Sequence, residues 1–187
     1  MTSIAALVVG GSPDPWEALG FAQLSSEGSR TSFSLVDVEL VVDTSLEAGS
    51  VDWRLSDTAF AGPAGAIGCL GVDHVVWRTN DLDATCDEIT RLTGAPRKRV
   101  RDAGGGVTQG FHRVDNVIVE VVVGGAEVVA PHVWGFVVNV ADLDAVCTFA
   151  GPDVIGAPKP ATQVGRRIAT ARSLAGLGVP FALMDVQ

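Results

Sequence analysis

Two stretches of alternating valine and aromatic residues, 73–79 (DHVVWRT) and 134–140 (WGFVVNV), are each followed by an acidic, leucine-bearing segment. Period-two alternation of β-branched and aromatic residues predicts strands. The segments that follow are near copies of one another, Asp81-Leu82-Asp83-Ala84-Thr85-Cys86 and Asp142-Leu143-Asp144-Ala145-Val146-Cys147. An Asp opening such a run predicts a helix N-cap with an acidic first turn. Strand and helix are therefore written twice. After the helix at about 82–93 the pattern returns to strands: PRKRVRD, a Gly104-Gly105-Gly106 turn, VTQGFHR, a turn at Val114-Asp115-Asn116, and VIVEVVV. After the helix at about 143–149 come a Pro-rich joint, QVGRRIATAR, a Gly-rich turn and VPFALMD. Each unit predicts a βαβββ module.

A fainter copy opens the chain, where LVVGGSPD at 7–14 overlays HVVWRTND at 74–81 and FSLVD at 33–37 echoes FHRVD at 111–115. Internal repetition of this kind sets the domain organisation before any motif is considered. It predicts a divergent βαβββ-like module at 1–60, a linker at 61–70 carrying the Gly- and Ala-rich AGPAGAIG, and a two-module domain at 71–187, divided into 71–124 and 131–187. The strand-like VDWRLSD at 51–57 fits none of the modules cleanly. The expected fold class is α+β: repeated βαβββ modules, paired edge to edge into a curved mixed sheet around a cup. An odd module is expected to pack beside the cup or to complete a second one with another subunit, so a homodimer is expected.

Composition narrows the function classes. The chain has 187 residues, 47% apolar and 19% charged, which fits a globular domain with a substantial core. Its 13 Lys and Arg against 22 Asp and Glu give a net charge of −9, which disfavours nucleic acid and anionic membrane surfaces as partners. Cys69, Cys86 and Cys147 are widely spaced, odd in number and without a Cys-x-x-Cys pattern, so a reducing compartment is expected. The apolar N-terminal run lacks a basic flank and a cleavage pattern, and no apolar stretch is long enough to span a bilayer. A cytoplasmic location is the expectation.

Alternation along 73–79, with Val75 and Trp77 on the helix side, turns His74, Val76 and Arg78 into the cup. Glu120 is the lone charge in VIVEVVV and needs a partner, a proton or a cation. Aligning the two modules pairs His74 with Gly135 and Glu120 with Asp185, a convergence that points to a divalent cation held by His74, Glu120 and Asp185. Arg97, Lys98, Arg99 and Arg101, and Arg166-Arg167 with Arg172, form two basic runs that read as solvated faces; the alternative, from alternation that puts Arg97, Arg99 and Arg101 on one side, is a site for a substrate anion at the mouth. The glycine clusters lack a following Lys-Ser/Thr and read as turns. Cys86 and Cys147 read as core residues, and Trp16, Trp77 and Trp134 as packing between helix and sheet.

The motifs DHVVWRTNDLDAT, QGFHRVDNVIVEVV and WGFVVNVADLDAV through GVPFALMD resemble the vicinal oxygen chelate superfamily, which includes glyoxalase I, bleomycin-resistance proteins and extradiol dioxygenases. The resemblance implies a glyoxalase-like fold whose cup binds a small oxygenated or electrophilic molecule. It further implies metal ligands at the first and last strands of both modules, which correspond to His74, Glu120, Gly135 and Asp185. Glycine at one of these positions departs from the pattern. The remaining imidazole and two carboxylates suit Ni, Mn, Fe or Zn. The extradiol set needs a second inward histidine, for which only His112 and His132 remain. The implied chemistry is a lyase, isomerase or dioxygenase step, with Glu120 as the proton-transferring base. The alternatives are a metal-free sequestering protein of the bleomycin-resistance type, favoured by Gly135, and a non-catalytic remnant in which His74 and Glu120 bond only to each other.

Overall fold

The computed structural model describes residues 2–115 and 117–186. Asn116, expected in a hairpin turn, lies outside the described residues; its neighbour Asp115 has the positive φ of 56° that such a turn requires.

The first module contains β1 (Ser3–Gly10), α1 (Asp14–Ala18), β2 (Ala22–Glu27), β3 (Arg30–Ser34) and β4 (Glu39–Asp43). VDWRLSD forms a further strand, β5 (Val51–Ser56). The second module contains β6 (Cys69–Thr79), α2 (Leu82–Thr93), β7 (Arg99–Gly104), β8 (Val107–Val114) and β9 (Val117–Val123). The third contains β10 (His132–Val140), α3 (Leu143–Ala150), β11 (Lys159–Pro160), β12 (Arg167–Thr170) and β13 (Phe181–Asp185). The two copied aspartates cap their helices as expected: Asp81 accepts from Ala84 N at 3.0 Å and Asp142 from Ala145 N at 2.9 Å.

In all three modules the first strand runs parallel to the last, β1 with β4, β6 with β9 and β10 with β13. β6 and β10 then pair antiparallel, joining the second and third modules into one eight-stranded sheet of order β11-β12-β13-β10-β6-β9-β8-β7. The first module forms a separate sheet of order β2-β3-β4-β1-β5. There β5 lies antiparallel on the free edge of β1, the place β10 takes beside β6. The edge that the sequence leaves open for a second copy is filled from within the chain.

One continuous core joins the sheets, drawing buried residues from both and from all three α-helices. Trp16, fully buried on α1, stacks on Phe136 at 5.8 Å and meets Phe181 edge-on at 5.2 Å. Trp53 of β5 packs edge-on against Trp77 of β6 at 5.1 Å. The first module is thereby fixed to the helix side of the large sheet, leaving the concave side free. Among the described residues no helix is long and apolar enough to cross a membrane.

Candidate active site

The concave side holds a cleft with two lobes, of about 670 and 420 Å³, which meet at His74, Gln109 and Glu120. Strand geometry accounts for the meeting. Ile118 is the register partner of His74, so Glu120, two residues further along β9, is its diagonal neighbour on the same face. His74 Nε2 lies 3.9 Å from Glu120 Oε2, and each side chain is 16% exposed. Gln109 Nε2 donates to Glu120 Oε1 from the adjacent strand. Gln109 Oε1 is buried and accepts no hydrogen bond from the described residues.

Asp73 completes this constellation by a route that simple alternation does not reveal. Opposite β10, Val137 pairs with His74 and Val138 with Val72, so Asp73 is the extra residue of a β-bulge. A bulge turns two successive side chains to one side. Asp73 Oδ2 therefore meets His74 Nδ1 at 2.7 Å, while its Oδ1 accepts from Arg166 Nη1 at 2.7 Å. Burial alone would raise the Asp73 carboxyl, but the bonds and charges of His74 and Arg166 outweigh it and hold the group well below the usual carboxylate range. An ionised Asp73 only accepts, so His74 Nδ1 donates to it, and Nε2 is the ring nitrogen turned toward Glu120 and the cleft. The first module buttresses the bulge, since the Val72 N–H donates to Asp37 Oδ1 at 2.9 Å.

The third module contributes differently from expectation. Glu120 is the register partner of Val76, and the corresponding partner of Val137 on β13 is Ala182. Asp185 is three positions beyond it, on the opposite face from Met184, which lines the cleft. Asp185 instead accepts from Arg167 N at 2.6 Å and Arg167 Nε at 2.8 Å, and the Arg167 backbone bond is the main reason its carboxyl is lowered. Arg167 also pairs with Asp144 on α3 at 3.0 Å. The alignment of Asp185 with Glu120 is thus corrected by register, and Asp185 does not reach His74 or Glu120. Gly135 has no room for a ligand: a Cβ there would lie 2.3 Å from the Pro180 carbonyl oxygen. The structure therefore brings two of the three expected metal ligands together and leaves the opposing positions as Gly135 and Ala182. Among the described residues no group of three His, Cys, Asp or Glu side chains converges as a metal site. A resident divalent cation on the expected donor set does not fit these residues.

Neither other histidine enters the cleft. His112 is buried and bonds the Ala95 carbonyl, with burial lowering its pKa, and His132 is exposed beside the Ala130 carbonyl. Of the alternating arginines, Arg99 and Arg101 line the larger lobe, whereas Arg97 pairs with Asp83 at 2.5 Å. Trp134, expected in the core, is half exposed and lines the smaller lobe, because β10 bulges between Val133 and Gly135. Asp73, Arg166 and Gln109 were not singled out by the sequence pattern. An acidic residue beside His74 inside an otherwise apolar strand was the signal available for Asp73; Arg166 read as part of a solvated basic pair.

Two paired βαβββ modules around such a cleft constitute a glyoxalase-like fold. Among solved structures, the chain is similar to methylmalonyl-CoA epimerase from Mycobacterium tuberculosis, with a TM-score of 0.53 and 17% identity over 65% of this chain and 91% of that one. A hypothetical protein from Bacillus halodurans matches with a TM-score of 0.52 and 12% identity over 62% and 94%. A variant of the Streptomyces coelicolor methylmalonyl-CoA epimerase in complex with 2-nitronate-propionyl-CoA matches with a TM-score of 0.50 and 19% identity over 61% and 92%. At these identities the likeness is one of fold. No protein-family profile and no curated protein sequence matches the chain.

Proposed function

We propose that the chain is a small-molecule enzyme of the isomerase or lyase kind that moves a proton next to a carbonyl group, using His74 and Glu120 without a resident metal ion. The observation that carries this reading is the line Asp73–His74–Glu120 at the junction of the two lobes. Asp73 fixes the ring with Nε2 toward the ligand. A proton accepted at Nε2 gives an imidazolium between two carboxylates, Asp73 on one nitrogen and Glu120 near the other, which lowers the cost of the charge. Glu120 is the second proton-transferring group, held by Gln109. Return of a proton to the opposite face of that carbon, from the other of the two groups, gives an epimer, and loss of a neighbouring leaving group gives elimination.

Solvent-deuterium exchange into phenylpyruvate and methylmalonyl-CoA, followed by proton NMR, tests the reading. Acceleration by the protein is expected, falling about 100-fold or more in His74→Ala and in Glu120→Gln. Equal exchange in these variants and the unaltered protein overturns it. A second reading, sequestration without turnover, is favoured by Gly135 and Ala182 where the fold resemblance implies ligands. Tight binding of a probe with no exchange is its signature.

A further inference from the structure

We infer that the ligand class of the cleft is an amphipathic anion, with its charged group in the larger lobe, its apolar group in the smaller one and its reacting carbon between them at His74 and Glu120. This rests on the proposed function only for the reacting centre. Arg99, Arg101 and Lys159 line the larger lobe against one carboxylate, Glu120, although the chain as a whole carries a net charge of −9. Excess acid elsewhere pairs other arginines, yet among the described residues these three cations have no ion pair. Arg99 and Arg101 lie over the same Phe111 ring, at 4.5 and 6.0 Å from its centroid. The ring holds two like charges side by side, and Arg101 Nε is buried without a hydrogen-bond partner. Such an arrangement is costly when empty and is relieved by an anion that accepts from both guanidinium groups.

The smaller lobe is built for the other end of the molecule. Val76, Val122, Trp134, Val137, Pro180 and Ala182 line it. Its one arginine, Arg78, is engaged through Nη2, which donates to the carbonyls of Gly124 and Ala126. Ala182, which stands where a ligand carboxylate was expected, leaves the floor apolar and widens it. A ligand spanning both lobes changes from charged to apolar where it passes His74, Gln109 and Glu120.

Isothermal titration with benzyl phosphate, phenylacetate, inorganic phosphate and benzyl alcohol tests the inference. At least one of the two amphipathic anions is expected to bind roughly ten-fold or more tightly than both inorganic phosphate and benzyl alcohol, and to weaken with salt. The tighter of the two identifies the head group as phosphate or carboxylate. The triple variant Arg99→Gln, Arg101→Gln, Lys159→Gln is expected to lose that advantage while still binding benzyl alcohol, and Trp134→Ala to lose it without altering inorganic phosphate. Circular dichroism establishes that each variant is folded. The inference is overturned if neither anion binds at millimolar concentration, if benzyl alcohol binds as tightly as the anions, or if a folded triple variant keeps full affinity. Binding in this pattern without proton exchange would sink the proposed reaction and leave the ligand class standing; exchange without this pattern would do the reverse.

Discussion

Replacing Arg166 with methionine removes the cation that compensates Asp73 while keeping most of the side-chain volume. Arg166 donates to Asp73 Oδ1 at 2.7 Å, to Gln163 Oε1 at 2.6 Å, to the Asp185 carbonyl at 2.7 Å and to Asn139. The pair is well shielded, with side chains 13% and 7% exposed. Breaking a buried pair from one side costs about 3–5 kcal/mol, far above the 0–1 kcal/mol of a surface pair. Asp73 keeps its bond to His74, which places the expectation near the lower end, about 3 kcal/mol. For a chain of this length that is a fall in Tm of roughly 6–12 °C. The sign of the pH dependence follows from the lowered Asp73 carboxyl. Its contribution is present above the ordinary carboxylate range and lost as pH falls through the folded value, so the gap between unaltered protein and Arg166→Met should narrow from about pH 5 to pH 2. Urea denaturation across that range measures it. Asp73→Asn combined with Arg166→Met should recover about 1–2 kcal/mol of the sum of the single effects. A loss below about 1 kcal/mol, or strictly additive single effects, refutes the account of a coupled buried pair.

Three further outcomes follow from geometry elsewhere. Gly135→Ala should destabilise by about 1–3 kcal/mol, because its Cβ would need Pro180 to move; an unchanged thermal midpoint would refute the close approach. Asp37 works in the opposite sense to Asp73: burial raises its carboxyl above 3.8, so folded stability is lost as pH rises through and beyond that value. Asp37→Asn, which keeps an acceptor for Val72, should flatten that loss in urea titrations, and an unaltered slope would count against it. Thiol titration under native conditions should label Cys147 before Cys69 and Cys86, since Cys69 is fully buried with its thiol pushed up to about 11 and Cys86 is buried beneath Gly110. Equal rates for all three would contradict the burial.

The parts of the fold that were legible in the sequence are those set by local chemistry repeated in copies. Asp81 and Asp142 announce two caps, and the valine runs before them announce the strands that pair at the centre of the large sheet. His74 and Glu120 were legible for the same reason, since period-two alternation holds on β6 beyond the bulge and along β9. What failed depended on register between strands, which the pattern of one strand does not carry. An alignment displaced by three residues moved Asp185 to the place of Ala182, and the bulge at Asp73 reversed the side on which that carboxylate emerges. The bulge in β10 likewise sent Trp134 to the ligand side. Arg166 was hidden because its partners, Asp73 and Asn139, are distant in sequence and meet it only once the two modules have joined.

β5 has a consequence for how this chain differs from one made of equal repeats. By lying on β1 it occupies the edge corresponding to the one at which β6 and β10 join their own units, so the three copies are no longer interchangeable. The leading unit becomes a backing plate, spent on stiffening the wall behind the bulge through Asp37 and Trp53. The paired units meanwhile keep an asymmetric chamber, in which one half supplies His74 and Glu120 and the other sets Ala182 and Gly135 against them.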